Sequence, residues 1–190
     1  MTDGRDGQTY RTVMIGTQTW MAENLNYDTL NDTGSWCYSD TASYCDTYGR
    51  LYNWATAMGV DMLYDSTILG DSVGHRGVCP DGWHVPSSSE WQTLVDYAGG
   101  DDVAGTYLMA NSDLWLTNSG TDDYGFSALP GGGYYGSFGN LGIYGNWWTA
   151  TEYNSSIAYN QRMVYASAVV ELNNYNSKGL VGFSLRCSED

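Results

Sequence analysis

The chain predicts an α+β domain with two helices, a small antiparallel sheet and long loops, and three observations lead there. Two stretches, 51–59 and 87–100, carry apolar residues at helical spacing and end in glycine. Residues near both ends alternate as strands do, and the span from Asp101 to Asn146 is mostly Gly, Asn, Asp, Ser and Tyr with short apolar islands. A length of 190 residues suits one domain over 1–190 with ample chain to bury a core.

The elements follow in order. "TYRTVMIGTQTWMAENLNY" alternates around Ile15-Gly16-Thr17 and reads as a hairpin from Tyr10 to Asn24. A Ser, Asp and Tyr-rich loop then holds Cys37 and Cys45. In "YGRLYNWATAMG", Leu51, Trp54, Ala55 and Met58 share a helical face and Gly59 supplies the stop. Val60 to Gly77 has no period and reads as an irregular loop. In "CPDGWHVPSSSEWQTLVDYAGG", Ser87 and Glu90 have capping-box spacing, while Trp91, Leu94, Val95 and Ala98 form the buried stripe of the second helix. "GFSLRCSED" reads as a closing strand that carries Cys187.

Composition excludes several partners. Seven Lys and Arg stand against 22 Asp and Glu, a net charge of −15, so the field repels phosphate backbones and nucleic acid is not expected. No stretch is long and apolar enough to span a membrane. The N-terminus has no apolar signal core, so an exported form is expected to carry its signal or anchor outside this sequence. Four cysteines allow three pairings. Cys37 and Cys45 could close a short ring, which would leave Cys79 and Cys187 as a long-range staple; such bonds imply an oxidising, extracellular setting.

The last quarter, 134–180, holds seven Tyr and seven Asn but only four charged residues. Tyr gives rigid contact area and Asn adaptable hydrogen bonds, the chemistry of antibody-like surfaces. Val164, Ala166, Ala168, Val170 and Leu172 share a face at a period of two, which reads as core or as a ligand-facing stripe. Met163, Tyr165 and Val169 make the opposite face apolar as well. Of the adjacent Trp147 and Trp148, at most one is expected at the surface, with Trp54, Trp83 and Trp91 in the core.

Five ordered segments, "SWCYSDTASYCDTYGRLYNWATAM", "GVCPDGWHVPSSSEWQTL", "GTDDYGFSALPGG", "WWTATEYNSSIAYN" and "GFSLRC", carry a family likeness. The chain resembles the Fibrobacter succinogenes major paralogous domain from about Asp6 to Asp190. That family is similar to the formylglycine-generating-enzyme-like branch of the C-type lectin fold, whose G-W-x-x-P-[ST]-x-x-E-W and G-F-x-x-R-C segments match Gly82 to Trp91 and Gly182 to Cys187. The resemblance implies a C-type lectin-like fold in an exported bacterial surface protein or lipoprotein, without established catalysis. It also implies that the tail is similar to the variable region of a diversity-generating retroelement protein, where adenines of Asn codons are substituted. Gln161, Met163, Glu171 and Lys178 are not reachable that way and would be fixed framework.

Catalysis finds little support. His84 sits at a helix entrance, where a structural hydrogen bond is expected, and His75 has no companion nucleophile in sequence. The related sulfatase-activating enzymes need two closely spaced reactive cysteines near the C-terminus, and only Cys187 lies there. The calcium-dependent sugar triplets of lectins are absent, although Asp101, Asp102, Asp122 and Asp123 leave a structural calcium ion open. Two glycosylation sequons, at Asn31 and Asn154, mean little in a bacterial protein.

The expected function is therefore non-catalytic ligand binding or display at the cell surface, with a protein or glycan as partner. Tyr144, Asn146, Tyr153, Asn154, Tyr159, Arg162, Val164, Ala166, Ala168, Val170 and Leu172 would form the face, with Arg162 as charged anchor. A structural or assembly module that uses the same face is the alternative.

Overall fold

The computed structural model describes residues 1–29, 34–70, 74–117 and 120–190. The sequon at Asn31 lies outside the described residues. Strands β1 (Thr12–Ile15) and β2 (Gln18–Met21) form the predicted hairpin, with Thr12 opposite Met21 and Ile15 opposite Gln18. Then come β3 (Ser35–Trp36), α1 (Ala42–Tyr48), β4 (Leu51–Tyr52) and α2 (Trp54–Met58). The first predicted helix thus begins later than its spacing suggests. Leu51 belongs to a strand, and Asn53 caps the helix by accepting from Thr56 N at 2.9 Å.

The second predicted helix stands as read. After β5 (Trp83–His84), α3 (Ser88–Tyr97) opens with Ser87 and Glu90 in a reciprocal capping box and buries Trp91, Leu94 and Val95. Next come α4 (Ala104–Leu108), the ribbon β6 (Gly133–Tyr134) and β7 (Phe138–Gly139), and three long strands, β8 (Tyr144–Asn154), β9 (Ile157–Val164) and β10 (Val170–Ser177). The chain closes with β11 (Phe183–Ser184) and β12 (Ser188–Glu189).

Two expectations are corrected. Among the described residues there are four α-helices rather than two, because α1 and α4 lie in polar stretches and are held by tertiary contacts. Cys45 of α1 is bonded to Cys37, and Gly105 N of α4 donates to Ala168 O at 2.8 Å. The sheet is also larger than expected: six strands in the order β10-β9-β8-β11-β4-β3, with a second sheet in the order β1-β2-β12-β5. One of its pairings, β8 with β11, is parallel. The single closing strand read from "GFSLRCSED" is two short ones in different sheets, with Arg186 and Cys187 at the crossing.

Strand β8 separates two cores. Trp148 packs with Tyr52, Trp54, Phe183 and Leu185, while Trp147 packs with Trp20, Trp91, Leu94 and Met163. Adjacent strand residues point to opposite faces, so a strand with two consecutive buried tryptophans must be covered on both sides. Their indole nitrogens donate to Asn24 Oδ1 at 2.8 Å and to Tyr52 O at 2.7 Å. Gly145 is required beside them, since a Cβ there would lie 2.4 Å from the Trp147 ring.

Both disulfides join the pairs foreseen as one alternative, Cys37 with Cys45 and Cys79 with Cys187. His84 makes structural bonds, as expected. Its Nε2 lies 2.7 Å from Glu90 Oε1 and its Nδ1 2.9 Å from Asp190 Oδ1, so both nitrogens donate when the ring is charged. The Glu90 bond raises the His84 pKa above its ordinary 6.5 against the effect of burial. Burial would raise the Glu90 carboxyl, but bonds from His84 and Ser87 override it and hold the pKa at about 2.

Removing Cys79 and Cys187 together should cost about 2–5 kcal/mol in urea unfolding, more than removing the other pair, because the bridged residues are 108 rather than 8 positions apart. The pH dependence has two signed limbs. His84, raised when folded, contributes stability fully below pH 6.5 and loses it as pH rises through the folded value. Glu90, lowered when folded, contributes above its ordinary 4.5 and loses it as pH falls towards 2. Urea midpoints across pH should show both limbs, and His84→Gln should flatten the upper one.

Candidate ligand-binding face

Strands β8, β9 and β10 place Asn146, Arg162 and Glu171 side by side, with Trp148, Asn160 and Asn173 in the next row. Beneath the surface, three amides form a ladder across the strands. Asn176 Nδ2 donates to Asn160 Oδ1 at 2.8 Å, and Asn160 Nδ2 donates to Asn146 Oδ1 at 3.3 Å. Asn146 Nδ2 continues the ladder to Gly132 O at 3.2 Å. Satisfied buried amides stiffen a sheet, whereas a broken one strands groups that water cannot reach. Asn173 Nδ2, beside this ladder, is buried without a partner among the described residues.

Above the amides lies an aromatic and charged surface. Arg162 Nε donates to Glu171 Oε2 at 2.8 Å and its NH1 to the Tyr175 hydroxyl at 2.7 Å. Its guanidinium stands 5.2 Å from the Tyr144 ring centre and 6.0 Å from that of Tyr175. Tyr135, from the β6–β7 ribbon, reaches Asn146 Nδ2 with its hydroxyl at 3.5 Å and leaves 41% of itself exposed. Tyr175 is 59% exposed; Tyr153, 52% exposed, lies on the other side of the sheet, edge-on to Tyr159 at 5.6 Å.

The far end of the strands is pinned by a buried ion pair. Lys178 Nζ donates to Glu152 Oε1 at 2.7 Å and to Thr67 O at 2.9 Å, over the Trp54 ring. The Glu152 carboxylate also accepts Leu69 N at 3.0 Å and Gly70 N at 3.1 Å. The span read as an irregular loop is thus tied to the sheet, and part of it, Met62–Asp65, forms a 3-10 turn.

The foreseen residues divide. Tyr144, Arg162 and Val164 project from one face, whereas Tyr159, three residues from Arg162 along β9, points to the opposite face and Tyr153 packs on it near the β8–β9 turn, so neither joins Arg162. Asn146 and Val170 are buried, at 2% and 3% exposure, and do not offer contact surface. Asn154 is exposed, but its Oδ1 accepts Ser156 N at 2.9 Å and Ile157 N at 3.0 Å, which builds the turn. The stripe from Val164 to Leu172 is not one strand. It breaks at 165–169, and the register sets Val170 opposite Met163, so even-numbered residues before and after the turn lie on opposite faces. Ala166 and Ala168 sit in that turn, and Leu172, 42% exposed, lies on the opposite face from Arg162.

Sequence reasoning missed Tyr135, Glu171 and Tyr175. Glu171 and Tyr175 flank "LNN" in an apparently plain polar strand, and only the hairpin register brings them to Arg162. Both Trp147 and Trp148 are core, as are Trp54, Trp83 and Trp91. The candidate calcium ligands do not fit a metal. Among the described residues no three His, Cys, Asp or Glu side chains converge, and Asp122 spends its oxygens on Ser127 N and Oγ, each at 2.7 Å. His75 Nε2 is engaged with Met58 O at 2.7 Å. Among the described residues no helix is long and apolar enough to cross a membrane.

The family model described as the Fibrobacter succinogenes major domain matches residues 13–188. Compared with curated proteins and with solved structures, the chain has no match.

Asn160→Ala should destabilise the fold by about 1–3 kcal/mol, since it leaves Asn146 Oδ1 and Asn176 Nδ2 without their partner. Urea unfolding measures this, with exposed Asn174→Ala as the control expected to stay within about 0.5 kcal/mol.

Proposed function

Since the chain belongs to the Fibrobacter succinogenes major domain family, we propose that it is a non-catalytic binding module of C-type lectin-like fold, exported and displayed at the bacterial surface, with a protein or glycan as ligand. The observation that carries this reading is a face on which exposed Tyr135 and Tyr175 and half-buried Tyr144 stand with Arg162, above strands whose buried amides bond one another. Aromatic side chains held on a rigid support bind with little loss of conformational freedom. Arg162 is the charged anchor of the face, partly neutralised by Glu171. The two disulfides accord with an extracellular setting.

Diversification of the tail by a retroelement is part of the proposal. Of the four residues that adenine substitution could not reach, Gln161, Met163 and Lys178 are buried, which supports it, while Glu171 is half-buried and holds Arg162. Variation would then fall on positions such as Tyr144, Tyr153, Tyr159, Val164, Ala166 and Tyr175, which retain exposure. The assembly alternative rests on one observation: β10 is the outer strand of its sheet and exposes both Leu172 and Tyr175.

A glycan and protein array probed with the wild type and with Tyr175→Ala tests the reading. Binding should be lost in the variant while its unfolding free energy falls by no more than about 1 kcal/mol, as for a surface substitution. No ligand on any array, together with concentration-dependent self-association, would favour assembly.

A further inference from the structure

A second concavity shares no lining residue with the Tyr face. Residues 8–11, 22–24, 26, 45–47 and 49 and parts of 110–129 border a cavity of about 450 Å3. That volume falls among small-molecule sites, which run about 300–1,000 Å3. The N-terminal segment forms one wall and the end of α1 another.

The charge behind the wall narrows the ligand. Arg186 is fully buried, and its bonds go to Asn24 Oδ1, at 2.8 and 3.1 Å, and to the carbonyls of Phe126 and Ser127, none of them a carboxylate. Asn24 and Ser127 also line the cavity, so a positive charge stands just behind its surface. Burial lowers the Arg186 pKa to about 9, and Asp122 and Glu23, both lining residues, pull it back up. Arg11 adds a second cation at the mouth, paired with Glu23 at 3.1 Å.

Three wall carboxylates, Glu23, Asp46 and Asp122, are therefore opposed by two guanidinium groups. An anion would meet those carboxylates. A cation would meet Arg11 and the field of Arg186, and the carboxylates do not converge as a metal requires. What remains complementary is a neutral molecule whose hydroxyls both donate and accept. Among the described residues nothing engages the side-chain amide of Asn26 or the carboxylate of Asp46, so a donor and acceptors are open to such hydroxyls. Ala22, Ala110 and Leu129 supply the apolar wall that the C–H faces of a ring would cover.

We propose that this cavity binds a neutral, polyhydroxylated small molecule of sugar size, independently of the Tyr face. Saturation-transfer NMR on the full chain tests it with methyl glycosides of glucose, galactose and mannose, beside glucosamine and glucuronate as charged arms. At least one neutral glycoside should receive saturation. The Asn26→Ala, Asp46→Ala variant should weaken it about tenfold or more, the loss expected when hydrogen bonds worth about 1.4 kcal/mol are removed. Asn174→Ala, at an exposed site outside the cavity lining, should leave it unchanged. Were the double variant to lose its folded circular dichroism, Asp46→Ala alone, at an exposed site, takes its place. The proposal is overturned by no transfer to any neutral glycoside, by preference for glucosamine or glucuronate, or by loss in Asn174→Ala with none in the cavity variant.

Discussion

The rest of the structure hangs on two consecutive tryptophans. Because Trp147 and Trp148 enter different cores, β8 has no solvent face over its middle, and both sides of the molecule must be built against it. Each indole N–H is satisfied by a group from a distant part of the chain, Asn24 from the N-terminal hairpin and Tyr52 from β4. Asn24 Oδ1 also receives Arg186, so one amide oxygen couples the first hairpin, the central strand and the closing segment. Losing it would strand a buried indole and a buried guanidinium at once.

That arrangement separates the roles of Tyr and Asn in the last quarter. Several of the Asn serve the fold: Asn146, Asn160 and Asn176 bond one another across three strands, and Asn154 shapes a turn. The tyrosines of the face stand above them with much of their surface open to solvent. A buried amide ladder gains little net energy over water, but it permits one register, since a one-residue slip would unpair every rung. The rings of Tyr135, Tyr144 and Tyr175 are thereby held in fixed positions relative to Arg162.

Much of this was legible in the sequence where the signal was local. The hairpin around Gly16, the capping box at Ser87 and Glu90, the structural role of His84 and the tryptophan core follow from spacing and chemistry that need few distant partners. The helices at Ala42–Tyr48 and Ala104–Leu108 were not legible, because they lie in polar stretches rich in Ser, Asp and Gly and owe their form to a disulfide and to Ala168 O. The candidate face was only partly legible. Tyr144 and Arg162 do share a face, but the apolar stripe from Val164 to Leu172 misled, since a period of two cannot reveal a turn within it. Tyr175 joined the face through that turn, a long-range fact of register.

The central claim is that the Asn side chains are structural and the Tyr side chains are the surface. Hydrogen exchange of the Asn146, Asn160 and Asn176 side-chain amides, resolved by NMR, tests it most directly. The account predicts that the Asn146 and Asn160 amides exchange only with opening of the β8–β10 sheet, near the protection of its backbone, while the exposed Asn174 amide exchanges freely. Rapid exchange of Asn146 and Asn160 in a folded sheet would contradict it, and would return those amides to the solvent-facing surface.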